Sequence, residues 1–227
     1  MEEVMRSCGI KSYVRRSGRM SDAQRQAYET LRSPYAVPFS PTFLNYEALF
    51  RSIQPLIIEI GFGMGVATAQ IAQDNPQINY LGIEVHRPGI GRLLREIESR
   101  GLLNLRIIEA DAVEVIQSMI PDHTVQGFHV FFPDPWPKKR HHKRRLISRP
   151  FTDLLARKLH SGGYCYLVTD WADYGEWALR ELAATDHLVN PHGGFAPPKS
   201  WRPKTAFERK GLAQGHGIYE IWCEAVQ

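Results

Sequence analysis

Short apolar runs, each closed by an acidic residue or a glycine, recur along the chain. The first begins at Pro55, continues Leu-Ile-Ile-Glu-Ile, and ends among the glycines Gly61, Gly63 and Gly65. Such a run predicts a buried parallel strand followed by a turn, because glycine tolerates backbone angles that other residues avoid. Apolar residues at helical spacing follow from Val66 to Ala72, so the unit is predicted to be strand, turn and helix.

Further runs of the same kind predict four more strands, at 79–84, 104–111, 127–134 and 163–170. Helical patterns separate them, including Pro88–Arg100, which Gly101 closes, and Asp173–Ala184. Strands that alternate with helices predict an α/β fold with a doubly wound, mostly parallel sheet. A last apolar run at 218–222 predicts an antiparallel strand in a hairpin on the sheet edge.

Acidic residues lie at the ends of these strands. They are Glu84, Asp111, Asp134 and Asp170. The carboxyl ends of parallel strands share one edge of the sheet, where α/β folds bind their ligands. Each residue could instead cap the following helix, yet four of them in register with the glycine turn favour a common ligand. We expect Glu84 to accept hydrogen bonds from ribose hydroxyls and Asp111 to lie near an adenine amine.

The spacing of the glycines narrows the choice of ligand. Dinucleotide folds carry G-x-G-x-x-G, whereas this turn has glycine at every second position and lacks the third glycine of that pattern. Glu59, near the end of the first strand, would repel a phosphate and attract an amine. S-adenosylmethionine combines that amine with a ribose and no phosphate, so it is the predicted cofactor. Two alternatives stay open: a tight turn without a ligand, and an oxidoreductase that uses a nicotinamide cofactor.

A stiff loop and a basic run follow the fourth strand. Phe131–Pro137 holds three prolines and three aromatic residues around Asp134, and Lys138–Arg145 holds six Lys or Arg in eight residues. A cationic cluster beside an active-site loop predicts that a phosphate backbone lies across the pocket. The alternatives are a loop that only packs its aromatic residues on the core and a solvated helix start.

The N-terminal residues 1–24 are predicted to form a mobile basic arm, and 25–227 the domain that binds the cofactor. The arm includes Arg15 and Arg16, and Ser21 is a candidate helix cap. Because charged termini are often disordered, a solvated tail is the alternative.

Two segments near the C-terminus are candidates for substrate binding. Residues 190–204 are rich in proline and glycine and are predicted to form a lid or substrate loop. The segment Thr205-Ala-Phe-Glu208 follows it. Since Thr and Glu three residues apart form a capping box, this segment could instead simply start a helix.

Composition and charge remove several classes of function. The 227 residues are 43% apolar, enough for one buried core, and no apolar stretch predicts a membrane span or a secretory signal. The three cysteines are far apart, so neither a disulfide framework nor a zinc site is expected, and we predict no metal. The formal net charge of +4 is modest but is concentrated in the two basic segments. A cytoplasmic location is the simplest expectation.

Several segments match one known family, and they are 11–19, 59–65, 80–84, 131–145, 169–170, 205–208 and 215–216. Together they resemble the bacterial single-subunit tRNA (guanine-N7)-methyltransferase family. The resemblance covers nearly the whole chain, and Pro133-Asp-Pro-Trp-Pro-Lys-Lys-Arg140 is its most specific part. It implies a class I methyltransferase (Rossmann-like) domain, S-adenosylmethionine as cofactor, tRNA as partner, and methyl transfer to N7 of a guanine in the tRNA variable loop.

The resemblance also implies roles for particular residues. The implied cofactor contacts are Glu59, Gly61, Gly63, Gly65, Glu84, Asp111, Ala112 and Asp134. The implied contacts with the substrate guanosine are Lys138, Asp170, Thr205, Ala206, Phe207 and Glu208. The implied RNA contacts are Arg140, His141, His142, Lys143, Arg144 and Arg145, to which the basic arm adds Arg15 and Arg16.

Asp134 is the candidate catalytic residue. Guanine N7 carries a free lone pair, so its methylation needs no general base, and alignment of the reactants should supply the rate. Our hypothesis is that Asp134 orients guanine through its N1 and N2 hydrogens.

Three positions depart from the family pattern. Ala206 replaces a Lys that the family usually has, whereas Lys210 and Glu220 keep the charge of the usual Arg and Asp. A methyltransferase that acts on another RNA guanine and a noncatalytic RNA-binding protein stay as alternatives. The family includes both monomers and homodimers, so the oligomeric state stays open.

Overall fold

The computed structural model describes residues 11–13 and 18–226. Its strands are β1 (Leu56–Ile60), β2 (Asn79–Glu84), β3 (Leu105–Glu109), β4 (Val125–Phe131), β5 (Leu159–Thr169), β6 (Leu188–Val189) and β7 (Tyr219–Ala225). Its helices are α1 (Asp22–Thr30), α2 (Arg32–Tyr35), α3 (Tyr46–Phe50), α4 (Val66–Asp74), α5 (Arg87–Arg100), α6 (Ala112–Met119), α7 (Arg149–Lys158), α8 (Ala172–Ala183) and α9 (Ala206–Ala213), with a 3-10 helix at Lys139–Arg144.

Within the described residues, the strands form one sheet in the order β3-β2-β1-β4-β5-β7-β6. The first five strands run parallel, which places their carboxyl ends at one edge. The strand order reverses between β1 and β4, so the ligand crevice of such a sheet is expected above this pair. Every residue of β1 is buried, as is typical of a central strand with helices on both faces. The predicted α/β, doubly wound, mostly parallel sheet is confirmed.

The predicted antiparallel last strand at this side of the sheet is confirmed, and a second, short strand lies outside it. β7 runs antiparallel to β5, as expected, with Thr169 opposite Tyr219. It is not the edge strand, because β6 pairs with its other side. β6 has only two residues, which is too short to leave an alternating pattern in the sequence.

The strand ends determine where the acidic residues lie. β2 ends at Glu84 as predicted, but β3 and β4 end earlier than predicted, so Asp111 and Asp134 lie in the loops beyond them. β5 begins at Leu159, four residues before the predicted start. The predicted end of α5 is confirmed, since Gly101 has a φ of 61° and its N–H bonds back to the last turn.

Helix α1 begins inside the segment that was predicted to be an arm. Ser21 caps it in a capping box: its hydroxyl accepts the N–H of Gln24, whose side chain accepts the N–H of Ser21. The predicted boundary at 24/25 therefore falls within α1. This helix packs closely on α5, where Gly91 leaves room for its backbone. Arg15 and Arg16 lie outside the described residues, so their predicted RNA contact rests on sequence.

No helix in the described part of the chain is long and apolar enough to cross a membrane. In these same residues, no group of three or more His, Cys, Asp or Glu side chains could hold a metal ion. Cys165 and Cys223 are buried free thiols at paired positions of β5 and β7.

Candidate active site

Three glycines with positive φ form the turn between β1 and α4. Gly61, Gly63 and Gly65 have φ values of 74°, 57° and 69°, a region that residues with a side chain rarely enter. A Cβ atom at Gly61 or Gly63 would meet no atom within 4 Å, so the backbone there lies open to a ligand. A Cβ atom at Gly65 would lie 2.6 Å from the Cβ of Leu93, so this glycine instead allows α4 and α5 to pack.

Glu84 is held in one orientation by backbone groups. Its Oε2 accepts the N–H of Gly63 at 2.9 Å, and its Oε1 accepts the N–H groups of Val85 and His86 at 2.6 and 2.9 Å. A carboxylate offers about four acceptor positions, so roughly one, on Oε2, is left for a ligand. This geometry favours a hydrogen bond from one ribose hydroxyl, whereas the sequence predicted hydrogen bonds from more than one.

Glu59 is a buried carboxyl group without a cationic partner among the described residues. It is 4% exposed, and the adjacent Thr68 hydroxyl is itself buried without a hydrogen bond of normal geometry. Burial raises the pKa of Glu59 to about 7, and the Thr68 hydroxyl opposes this change while the charge of Glu84 adds to it. An uncompensated buried carboxyl at a ligand-binding edge is suited to a ligand cation.

The raised pKa of Glu59 predicts a pH dependence of stability. The pKa lies above its ordinary value of 4.5, so the folded protein binds the proton more tightly and stability falls as the pH rises from about 4.5 to about 7. As the pH rises from about 5 to about 8, the unfolding free energy of the parent protein should therefore fall by about 3 kcal/mol relative to that of Glu59→Gln. Urea unfolding without cofactor measures this difference. Glu176→Gln, at an exposed carboxylate of α8, is the control, and parallel pH profiles for Glu59→Gln and the parent would contradict the prediction.

Asp111 is both a helix cap and an ion-pair partner. Its Oδ1 accepts an N–H of the first turn of α6 at 2.9 Å, and its Oδ2 lies 3.1 Å from Nζ of Lys11. Lys11 also bonds Glu114 at 2.7 Å. Asp111 therefore does cap a helix, while its predicted cofactor contact stays a prediction. The other three strand-end carboxylates cap no described helix.

Two neighbouring cavities lie along this edge of the sheet. The larger, about 440 Å³, lies beside Lys11 and Asp111, and the smaller, about 200 Å³, lies over the glycine turn. Tyr13 and Ala110 line both of them. Ser12 also lines the smaller cavity, so the described part of the predicted arm belongs to its wall. The predicted cofactor residues that line the smaller cavity are Gly61, Glu84, Ala112 and Asp134.

The loop that carries Asp134 is held in an uncommon conformation. Phe132 and Trp136 have φ values of 53° and 45°, which are costly for bulky residues and therefore need support from their surroundings. The indole N–H of Trp136 donates to the carbonyl oxygen of Ser12 at 2.9 Å, and Nε of Arg145 donates to a loop carbonyl oxygen at 3.0 Å. Asp134 itself is exposed and makes no hydrogen bond with a described residue. The loop thus presents a free carboxylate at the rim of the smaller cavity.

The basic run forms the 3-10 helix and its flanks. Its exposed cations, which form no ion pair with any described residue, are Lys138, Lys139, Arg140 and Lys143. Arg144 lies with its guanidinium 5.0 Å from the ring of Trp136. His141 and His142 are half-buried, with their rings 5.7 and 5.9 Å from those of Trp136 and Trp177. A cationic surface therefore borders the loop of Asp134.

Arg145 does not belong to this surface. It is 3% exposed, forms an ion pair with Asp173, and lies 5.3 and 5.1 Å from the rings of Tyr174 and Trp177. Its guanidinium is engaged in holding the loop described above. The prediction that Arg145 contacts RNA is thus corrected, because a buried and paired guanidinium does not reach a phosphate.

The 205–208 segment is the first turn of α9. Thr205 and Glu208 form the capping box that the sequence allowed. Glu208 is 2% exposed and accepts hydrogen bonds from Arg202 through both oxygens, whereas Phe207 is 56% exposed. Of these side chains, that of Phe207 is the one free to meet a ligand, and Ala206 is described only by its place in α9.

Asp170 lies just beyond β5 and is tied to the end of α9. Its Oδ2 lies 3.3 Å from Nδ1 of His216, and its side chain is 14% exposed. Both Asp170 and α9 therefore lie toward the β5–β7 half of the sheet, whereas the glycine turn and Glu84 belong to β1 and β2. The loop of Asp134, which follows β4, lies between the two groups.

Comparison with known proteins decides the family. Residues 53–221 match a family model described as "Putative methyltransferase". A tRNA (guanine-N(7)-)-methyltransferase of Nitrosospira multiformis is 50% identical over 212 residues, which cover 93% of each chain. The chain belongs to the tRNA (guanine-N7)-methyltransferase family. The protein of that name from Treponema pallidum (strain Nichols) is 48% identical over 239 residues and 94% of each chain.

Solved structures support the same fold for this member of the tRNA (guanine-N7)-methyltransferase family. The 16S rRNA methyltransferase KamB has a TM-score of 0.56 and 15% identity, with coverage of 93% of this chain and 97% of that one. The antibiotic-resistance methyltransferase Kmr has a TM-score of 0.54 and 16% identity, with coverage of 84% and 95%. At such low identity the likeness concerns the fold alone, and it confirms the predicted class I methyltransferase architecture.

Some residues that shape the site of this family member were not predicted from the sequence. Gly89, at the start of α5, lies against the glycine turn. The Pro-Gly pair at the start of a predicted helix was the feature of the sequence that could have indicated this contact. Arg202 holds the first turn of α9, but nothing in its surroundings in the sequence marks it. Lys11 lay within the matched segments, yet its pairing with Asp111 depends on tertiary contact.

Proposed function

We propose that this protein transfers the methyl group of S-adenosylmethionine to N7 of a guanine in the variable loop of tRNA. The observation that carries the proposal is the cavity over the glycine turn, which Asp134 borders and which an exposed cationic surface adjoins. The family of the chain agrees with this reaction.

Residues that line the smaller cavity, together with Gly63 of the turn and Glu59 of β1, fit the cofactor. Gly61 and Gly63 leave open backbone, and Glu84 keeps one acceptor position for a ribose hydroxyl. Glu59 would attract the cationic end of the molecule, because its buried carboxyl has no other described cation nearby. The bound cofactor supplies an electrophilic methyl group on a sulfonium. The protein's part is to hold both reactants in line and to exclude water.

Asp134 is positioned to orient the target base. N7 of guanine needs no general base, so a carboxylate at the rim serves by accepting the N1 and N2 hydrogens and by stabilising the positive charge of the product. Phe207, whose ring lies 5.4 Å from that of Phe132 in the cavity wall, and Asp170, just beyond β5, would contact the base or its nucleotide. Lys138, which is exposed next to the loop, would contact a phosphate.

The target guanine must lie outside a regular helix. The major groove of A-form RNA is too deep and narrow for side chains, so N7 is reachable in a loop, a junction or an extruded base. The variable loop of a folded tRNA offers such a base. Because tRNA is the substrate in this proposal, we place the enzyme in the cytoplasm, and the 1–24 arm with Arg15 and Arg16 would add a further RNA contact.

Phosphate contacts by the exposed cations predict a salt dependence of tRNA binding. The logarithm of the association constant for tRNA falls linearly with the logarithm of the salt concentration. The double variant Lys139→Ala/Lys143→Ala should make this slope less steep by about 2, because each lost phosphate contact removes about one released counterion. Fluorescence-anisotropy titration with tRNA at several salt concentrations measures the slope. Arg95→Ala, at an exposed cation of α5, is the control, and an unchanged slope in the double variant would contradict the predicted surface.

Methylation of defined tRNA transcripts tests the function. The protein is incubated with radiolabelled S-adenosylmethionine and a transcript, and reduction followed by aniline treatment then cleaves the RNA at 7-methylguanosine. We expect incorporation with cleavage at one variable-loop position. A transcript with 7-deazaguanosine at that position, which lacks N7, should bind but accept no methyl group.

Other results would point elsewhere. Cleavage at a guanine outside the variable loop would indicate another RNA target for the same chemistry. Binding of tRNA without any incorporation would favour a noncatalytic RNA-binding protein. Quenching by NADH and none by S-adenosylhomocysteine would favour the oxidoreductase.

A further inference from the structure

A buried ion network joins the loop before α9 to the sheet. The terminal nitrogens of Arg202 donate to both oxygens of Glu208 at 2.7 and 2.9 Å, and one of them also donates to Glu220 at 2.9 Å. Nε of Arg202 donates to the hydroxyl oxygen of Tyr166 at 3.1 Å, and that hydroxyl donates in turn to Glu220. The network therefore links α9 with β5 and β7 through a single guanidinium.

Burial makes this network depend on the geometry of Arg202. Arg202, Glu208, Glu220 and Tyr166 are 8%, 2%, 2% and 0% exposed. Two buried carboxylates that share one guanidinium are tolerated only while every group is paired. A planar fork can serve both carboxylates at once, which a lysine ammonium cannot do with the same directions. Since buried ion pairs add little net stability, a role in fixing position explains this arrangement better.

Glu208 is fully engaged by this network. Each of its oxygens accepts a hydrogen bond from Arg202, and Oε2 also accepts the N–H of Thr205 at 3.3 Å. With 2% exposure it has no free face for a guanosine. Its placement instead fixes the first turn of α9, on which Phe207 lies.

The network also lies next to the loop of Asp134. The guanidinium of Arg202 lies 5.8 Å from the ring of Phe131, the last residue of β4. The ring of Phe207 lies 5.4 Å from that of Phe132, which begins the loop. Movement of α9 would therefore shift Phe207 away from the rim where the target base is expected.

We propose that Arg202 is a positioning residue for tRNA methylation: by gripping Glu208 it holds the first turn of α9, and with it Phe207, against the loop of Asp134. This inference rests on the proposed function and deepens it. Glu208 then supports the substrate site, whereas the family resemblance implied that it contacts the guanosine.

Arg202→Lys tests the proposal, since it keeps the charge and loses the fork. We expect KM for tRNA to rise about 10-fold and kcat to fall about 10-fold, because the base is bound less tightly and aligned less well. The Kd of S-adenosylhomocysteine, measured by calorimetry, should change less than about twofold, since Glu84 and the glycine turn belong to β1 and β2. A milder variant, Tyr166→Phe, removes one hydroxyl with its two hydrogen bonds, leaves both bonds between Arg202 and Glu208, and should raise KM for tRNA about threefold.

An effect of lower stability must be distinguished from an effect of a displaced α9. Lys158→Met serves this purpose, because Lys158 is 2% exposed and pairs with Asp122 at 2.6 Å at the opposite end of β5. This control should lower Tm and leave both kinetic constants unchanged. In an Arg202→Ala variant, added guanidinium ion should restore part of kcat/KM, whereas added ammonium should not.

Two results would overturn the positioning role. One is an Arg202→Lys protein whose Tm falls while its KM and kcat match those of the parent. The other is an equal loss of affinity for tRNA and for S-adenosylhomocysteine, which would indicate general disorder. Absence of methyl transfer by the parent protein would instead remove the proposed function, so the two failures are distinguishable.

Discussion

Asp134→Asn should lower kcat for tRNA by about 100-fold and leave the Kd of S-adenosylhomocysteine within about threefold. The carboxylate is exposed, makes no hydrogen bond with a described residue, and is presented by a loop whose backbone is held on both sides. An amide would place N–H donors where the N1 and N2 hydrogens of guanine need acceptors. Single-turnover kinetics with saturating tRNA measures the effect on the chemical step.

Asp153→Asn is the matched control for this prediction. Asp153 is an exposed carboxylate on α7 whose partner is Arg149 on the same helix. Its substitution should change neither kcat nor cofactor affinity. If Asp134→Asn turned over tRNA nearly as fast as the control, Asp134 would have no orienting role.

Gly89→Ala should cause the largest loss of stability, about 3 kcal/mol, together with a loss of cofactor affinity of about 30-fold or more. The added methyl group would overlap the carbonyl oxygen of Gly63, and backbone cannot yield as a flexible side chain can. α5 and the turn would have to move apart, and since Glu84 lies just before α5, its hydrogen bond with Gly63 would be strained or lost. Thermal unfolding should show a fall in Tm of about 10 °C, and calorimetry with S-adenosylhomocysteine measures the affinity.

Gly194→Ala supplies the comparison for this substitution. A Cβ atom at Gly194 would meet no atom within 4 Å, and its φ is not in the left-handed region. We expect a change within about 0.5 kcal/mol. A Gly89→Ala protein as stable as Gly194→Ala, with normal affinity, would show that the α5 contact does not shape the cofactor site.

The order of strands and helices follows from the pattern of apolar positions. β1 and β2 are short, mostly apolar runs bounded by glycine or acid, and Gly101 ends α5 where the sequence places a helix stop. These features depend on neighbouring residues in the sequence, so they form in any fold that buries them. The same is true of the capping boxes at Ser21 and Thr205.

The sequence predicted the positions of some residues of the candidate site and not those of others. Glu84 ends β2, as the apolar pattern predicts, and it lines the smaller cavity together with Asp134, which lies in the loop beyond β4. Arg145 looks like its neighbours in the basic run, yet it is buried beneath the loop. Which cations of such a run face solvent depends on the turn of the 3-10 helix and on partners such as Asp173, which are distant in sequence.

By itself, then, the sequence determined the parallel sheet, the edge at which its acidic residues collect, and the family to which the chain belongs. Only the tertiary structure decided which of those acids are free. Asp111 caps α6 and pairs with Lys11, Glu208 is held by Arg202, and Asp134 is open. The physical reason is that the availability of a charge depends on burial and on partners brought together by folding, and the order of residues along a chain does not record either.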